Sequence, residues 1–201
     1  MKRPLLICDA DEVLVAFIEP LARFLNGHDY DLHLESFALT GNIRHRTSGA
    51  VADRPTVARL ISDYFDSSLE TAPAVPGAAG ALAAIAEVAD VVVLTNVEEA
   101  HRQRRQAALA SLGMPYPVLA NQGPKGEAVR GLAATRRGPV LFVDDLPPHH
   151  TSVAQTAPHV HRLHFVADPR LRSLIPAAPD AHARIDDWSE ALPYIQRALA
   201  L

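Results

Sequence analysis

Three short apolar runs punctuate the chain, and each stops at a chemically capable polar residue. Residues 4–8 (PLLIC) run into Asp9, residues 91–94 (VVVL) into Thr95, and residues 139–143 (PVLFV) into Asp144 and Asp145. Each run is too brief for a helix and lacks the alternation of a half-exposed strand. That predicts strands buried on both faces of a parallel sheet. Helical patterns lie between them. Residues 78–89 (AAGALAAIAEVA) follow Pro76-Gly77. Residues 98–112 (EEAHRQRRQAALASL) carry acids in the first turn and stop at Gly113, and residues 125–134 (KGEAVRGLAA) start just after Pro124. Residues 117–121 (PVLAN) and 161–166 (HRLHFV) predict two further strands. Residues 188–200 predict a closing helix, with Pro193 as a kink or a late N-terminal position. This alternation predicts an α/β fold, a Rossmann-like parallel sheet with flanking helices. In such sheets ligands gather at the carboxyl ends of the strands, so the three polar strand ends point to one shared site.

Residues 15–75 break the alternation. FIEPLARFLN and VARLISDYF have helical apolar spacing and are joined by a polar stretch, TGNIRHRTSGAVADRP, with no strand-like run. The segment predicts a small helical insertion after the first strand, which divides the chain into a core of 1–14 and 76–201 and an insertion of 15–75.

Composition narrows the class. The 201 residues suit one domain or one domain with an insertion, and 48% hydrophobic with 21% charged residues suits a soluble globular protein. A net charge of −4 argues against a nucleic-acid polymer as partner. The single cysteine, Cys8, excludes an intrachain disulfide framework and a multi-cysteine zinc site. The opening MKRPLLICDADEVLV sets basic residues before an apolar stretch, but Asp9, Asp11 and Glu12 interrupt it too early for a signal peptide. No window approaches ~18 uninterrupted apolar residues, so no membrane span is expected and a cytoplasmic location is the expectation. Positive charge is placed as 17 arginines and only two lysines, Lys2 and Lys125. Codon bias is the plain reading of the imbalance. Lys125 nonetheless stands at a helix N-terminus, where a cation opposes the helix dipole.

Four polar elements carry the candidate chemistry. In Asp9-Ala10-Asp11 one carboxylate can attack an electrophile while the other manages protons. Thr95 and Asn96 offer a hydroxyl and a backbone N–H to a phosphate oxygen. Lys125 is a point cation. The adjacent acids Asp144 and Asp145 repel one another and call for solvent or a hard, oxygen-seeking cation such as Mg²⁺.

Taken in order, apolar-run-DxDxV, apolar-run-TN, Lys and apolar-run-DD, with PGAAGALAAI at 76–85 ahead of the second motif, the chain resembles the haloacid dehalogenase-like (HAD) superfamily of hydrolases. The resemblance covers nearly the whole chain. It implies an HAD-like core, a C1-type cap at 15–75 and a Mg²⁺-dependent phosphatase acting on a small phosphomonoester. Carried over, Asp9 is the nucleophile and forms an aspartyl-phosphate. Asp11 protonates the leaving alcohol, activates the water and lends its carbonyl to Mg²⁺. Thr95, with Asn96, holds a phosphoryl oxygen, and Lys125 offsets the charge of Asp9 and the phosphate. Asp145 is the direct carboxylate ligand of Mg²⁺, with Asp144 acting through water or as a supporting partner. The acid at Asp11 separates this pattern from true dehalogenases, whose halide needs no proton. Glu12 stands where glycine is commoner, which bears on the turn toward the cap.

Two other readings stand beside this one. The opening DADEVLVAFIEPLARFLN is similar to that of 5′-deoxyribonucleotidases, although Ala16 replaces the acid of their pattern. A non-catalytic phosphate-binding module on the same fold is the other. The remaining polar and aromatic residues have ordinary expectations. His149 and His150 read as a solvated helix start, and His101, Arg102, Arg104 and Arg105 as a mostly solvated face. Arg44, His45 and Arg46 read as either a solvent-facing loop or an anion grip. Cys8 is expected as a core thiol pointing away from Asp9, and Phe17, Phe24, Tyr64, Phe65 and Trp188 as packing residues. The sequence is silent on oligomeric state.

Overall fold

Strand β1 (Leu5–Cys8) lies at the centre of a six-stranded parallel sheet. It pairs on one side with β4 (Asp90–Thr95) and on the other with β6 (Val140–Asp144). Beyond β4 lies β5 (Val118–Ala120). Beyond β6 lie β7 (His161–His164) and the short β8 (Ala183–Arg184), giving the order β5-β4-β1-β6-β7-β8. The chain fills one side of β1 before crossing to the other, so the crevice above the ends of β4, β1 and β6 is a topological switch point. The structure is a computed structural model and describes residues 3–36 and 38–200. None of its described helices is long and apolar enough to cross a membrane.

The runs without alternation are buried on both faces. Leu6, Cys8, Val91, Val93, Leu141 and Val143 form one cluster, with α3 (Ala78–Ala86) and α8 (Trp188–Ala198). Leu5, Ile7, Val92, Leu94, Val140 and Phe142 form the other, with α5 (Gly126–Ala134) and α6 (Pro147–Thr156). Cys8 thus points away from the α5 face, and burial raises its thiol pKa well above the ordinary value. The expected 98–112 helix is a single 3₁₀ turn, Glu99–His101, running into α4 (Arg102–Ser111). Pro193 lies inside α8, whose start is capped by Asp187. Helix α6 stands where His149 and His150 led a helix start to be expected, whereas α7 (Pro169–Arg172) and the strand β8 were not anticipated. Each of the latter two is short and lacks an apolar period.

The insertion holds α1 (Ile18–Asn26) and α2 (Arg54–Ser68), as its apolar spacing predicts. The expectation that it lacks strands is corrected: β2 (Tyr30–Leu32) and β3 (Ile43–His45) form an antiparallel pair between the helices. Three-residue strands leave no periodicity to read. They are held by burial of Ile43 against Leu21, Leu25, Leu60 and Tyr64, a small core separate from the sheet's own. The chain leaves and re-enters through a narrow neck, where Val75 N–H donates to the Leu14 carbonyl and Ala16 N–H to that of Pro73.

Candidate active site

Side-chain parity brings the first three groups together. Asp9 extends the Leu5, Ile7 series and Asp144 the Val140, Phe142 series, so both carboxylates emerge on the face covered by α5. Lys125 is the residue at which α5 begins. Helix α5 can come this close because its next residue is Gly126. A β-carbon there would press well inside contact distance of the Ser152 carbonyl and hydroxyl on α6. The Lys125 ammonium lies 2.6 Å from Asp9 Oδ1 and 2.7 Å from Asp144 Oδ2, at 1% side-chain exposure. Burial works to lower its pKa, but the two carboxylates win and hold it above its usual value.

The second acid of each pair behaves differently. Asp144 is fully committed: its other oxygen accepts from Leu146 N–H at 2.9 Å. Burial works to raise its pKa, but the Lys125 charge overcomes this and keeps it below its ordinary value. Asp145 faces the cavity instead. Burial and the neighbouring Asp144 and Asp9 push its carboxyl well above the usual range. Asp9 is itself raised to about 7, chiefly by burial, against the pull of Lys125. Oxygens of Asp9, Asp144 and Asp145 lie within 4.8 Å of one another. Three buried carboxylates answered by one ammonium are short of positive charge, and their all-oxygen donor set suits a hard divalent cation such as Mg²⁺.

Asp9, Asp11, Asn96, Lys125 and Asp145 line one cavity of about 230 Å³. Thr95 ends β4 and is fully buried, and its hydroxyl has no hydrogen-bond partner. Asp144 supports the floor from below. All seven expected site residues therefore gather at the ends of β1, β4 and β6 and the start of α5, with Thr95 and Asp144 behind the lining.

Several residues depart from their expected surroundings. Arg105, expected on a solvated face, is 2% exposed, and its Nη2 lies 2.9 and 3.0 Å from the Asp11 carboxylate oxygens. It also stands 5.7 Å from the Phe65 ring. His101 is buried as well, with its Nε2 2.7 Å from Asp66 on α2, whereas Arg102 and Arg104 stay partly exposed. His149 and His150 are buried rather than solvated, because α6 lies against the sheet. His149 lines the cavity, and burial lowers its pKa, as it does for His150, which falls to about 4. His150 Nε2 donates to the Asp144 carbonyl at 3.0 Å and His164 Nε2 to that of Asp145 at 2.8 Å. Phe17 and Phe65 line the cavity besides packing, whereas Phe24 and Trp188 lie outside it. Arg44, His45 and Arg46 lie outside the cavity. Arg44 is near Glu35, Arg46 near Asp31, and His45 accepts from Ser48.

Glu12 occupies the left-handed backbone region at φ 57°. Its carboxylate accepts from the N–H groups of Phe17, Ile18 and Asp168 at 2.8–3.0 Å, tying the β1 loop to the start of α1 and to the segment before α7. The one sequence signal for it was the acid at a position where glycine is commoner.

No family model matches the chain, and no curated protein matches it. Solved structures are similar to it. A haloacid dehalogenase-like family hydrolase from Streptococcus pneumoniae has a TM-score of 0.66 at 12% identity, over 96% of this chain and 99% of that one. The protein designated HAD-hydrolase YfnB from Bacillus subtilis, solved bound to magnesium, has a TM-score of 0.66 at 13% identity, over 100% of both. CbbY from Rhodobacter sphaeroides, solved with xylulose-(1,5)bisphosphate, has a TM-score of 0.62 at 15% identity, over 94% of this chain and 96% of that one. At such identities the likeness is one of fold. The chain has the HAD-like fold along almost its whole length.

Proposed function

We propose that the protein is a Mg²⁺-dependent phosphatase that hydrolyses small phosphomonoesters through a phosphoryl group carried on Asp9. The observation that carries this reading is the Lys125 ammonium held between Asp9 and Asp144 with Asp145 facing the same cavity. An anionic carboxylate attacks an anionic phosphate only where cations screen the repulsion, and phosphoryl transfer depends mostly on positioning and charge stabilisation. Asp9 and Asp145, with the carbonyl of Asp11, would hold Mg²⁺, and the bound ion would neutralise phosphoryl oxygens. Asp144, both of whose oxygens are already engaged, is the supporting partner.

In this reading an Asp9 carboxylate oxygen bonds to phosphorus as the ester oxygen leaves. Asp11 gives that oxygen a proton and later removes one from the water that attacks the aspartyl-phosphate. Lys125 screens Asp9 and the transferred group. The unpaired hydroxyl of Thr95 and the backbone beside Asn96 take a phosphoryl oxygen. An unpartnered buried hydroxyl costs about 1–3 kcal/mol, which such an oxygen would offset. Residues 15–75, with their own small core and narrow neck, act as a C1-type cap over the core of 1–14 and 76–201. A phosphate-release assay on a panel of phosphomonoesters tests the reading. Release is expected with Mg²⁺, lost with chelator and lost in Asp9→Asn. No release by the wild-type protein across the panel would contradict it.

A further inference from the structure

The cavity has two unlike ends. Its floor carries four carboxylates, of Asp9, Asp11, Glu12 and Asp145, and one ammonium, that of Lys125. Its remaining wall is mostly hydrocarbon, presented by Phe17, Ile18, Leu39, Phe65, Leu171 and Ile175. These side chains form one continuous surface. Ile18, Leu171 and Ile175 pack together with Phe17 and Leu39 against them, and the Phe17 ring stacks on that of Phe65 at 6.0 Å. Polar groups that reach the lining from beside this wall are largely occupied, apart from His149, whose Nδ1 is buried without a partner. Both Glu12 oxygens accept backbone N–H groups. The Asn96 amide donates to the Gly123 carbonyl and accepts from Asn121. Among the described residues Lys125 is the one cation of the lining, and its charge is shared between Asp9 and Asp144.

This division constrains the leaving group. A carboxylate or second phosphate placed against the hydrocarbon wall would lose water, find no counter-charge and face the carboxylates of the floor. Sugar hydroxyls would be dehydrated with too few partners. An apolar body would cover the wall at no such cost. We infer that the cavity selects monophosphate esters of uncharged, apolar alcohols, hydrocarbon or aromatic, over phosphorylated acids, bisphosphates and sugar phosphates. This inference rests on the phosphatase reading above.

The test compares kcat/KM with Mg²⁺ for benzyl phosphate, phosphoglycolate, glucose 6-phosphate, fructose 1,6-bisphosphate and thymidine 5′-monophosphate. Benzyl phosphate is a primary-alcohol ester, so its preference would not reflect a more reactive leaving group. Acetyl phosphate, whose small leaving group barely touches the wall, serves as the control for the phosphoryl end. Benzyl phosphate is expected to exceed the acid, the sugar phosphate and the bisphosphate at least a hundredfold, and the nucleotide at least tenfold. Leu39→Lys, at a partly buried wall position, is expected to narrow the benzyl phosphate to phosphoglycolate ratio at least tenfold. Hydrolysis of acetyl phosphate without preference for benzyl phosphate would overturn this inference alone, as would an unchanged ratio in Leu39→Lys. Hydrolysis of none of the compounds, acetyl phosphate included, would remove the phosphatase reading and this inference with it.

Discussion

Lys125 pairs with two buried carboxylates at once, and among the described residues no other cation is paired with Asp9 or Asp144. Breaking a buried pair leaves uncompensated charge, at a cost of about 3–5 kcal/mol. Lys125→Met is therefore expected to lower unfolding free energy by about that amount in urea titrations. Lys125→Arg keeps the charge but replaces a point cation with a planar fork. It is expected to cut turnover at least a hundredfold, and near-normal activity would contradict this role. Arg105, itself buried, makes a second pair, with the half-buried Asp11. Arg105→Met is expected to cost about 1.5–3 kcal/mol, the range for hydrogen bonds to charged groups. Adding Asp11→Asn to it should cost much less than the sum of the two single changes, which a double-mutant cycle in urea would read. The residues of the site differed in how far the sequence revealed them. Asp9, Thr95, Lys125 and Asp145 each sit beside a strand end or helix start, where local pattern marks them. Arg105 and His101 find their partners 94 and 35 residues away, so nothing in their own helix distinguishes a buried cation from a solvated one.

At the scale of elements, strands with continuous apolar runs were legible because burial on both faces leaves a strong signature. The β2–β3 pair, α7 and β8 were not, since each is too short to show a period. For helix α6 the start was legible at His149 and His150 but its burial was not: it opens Pro147-Pro148-His149-His150, and its buried residues are two histidines and Val153. Those histidines have a consequence. Burial lowers the His150 pKa from 6.5 to about 4, so the folded protein holds this ring neutral while the unfolded chain protonates it below 6.5. Its contribution to stability is complete above pH 6.5 and is lost as pH falls toward 4, amounting to about 3 kcal/mol. The raised carboxyls of Asp9 and Asp145 shift stability the other way as pH falls, so the reading is the difference between the wild type and His150→Gln in urea titrations of the metal-free protein from about pH 7.5 to about pH 4.5. His150→Gln, which keeps a donor for the Asp144 carbonyl, should lose less stability than the wild type over that range. An unchanged slope would show that His150 titrates normally in the folded protein.

Across the whole molecule, the loop of residues 10–15 leads from the sheet into the insertion, and Glu12 fastens it at three points. The left-handed backbone of a non-glycine residue is unfavourable by about 1–2 kcal/mol, and burial of the carboxylate adds to the cost, raising its pKa. Three N–H groups from two separate segments offset both. Glu12→Gly relieves the backbone but releases all three donors, and a net loss of about 1–2 kcal/mol is expected. Trp188, the single tryptophan, reports it directly. Its indole donates to the Val13 carbonyl at 2.8 Å, so its fluorescence follows the docking of α8 onto the same loop. Equal or greater stability of Glu12→Gly would show that the backbone strain outweighs the fastening. The sequence marked Glu12 as unusual but not what it binds, because Asp168 is 156 residues away.

The phosphatase reading stands or falls on whether Asp9 carries the phosphoryl group. Acid-quenching the protein during turnover of a phosphomonoester labelled in its phosphoryl group, with Mg²⁺ present, tests it most directly. Acid-stable label is expected on the peptide containing Asp9, released by hydroxylamine as an acyl phosphate would be, and absent from Asp9→Asn. Turnover that leaves no label on the protein, or label on another residue with Asp9→Asn still active, would contradict it.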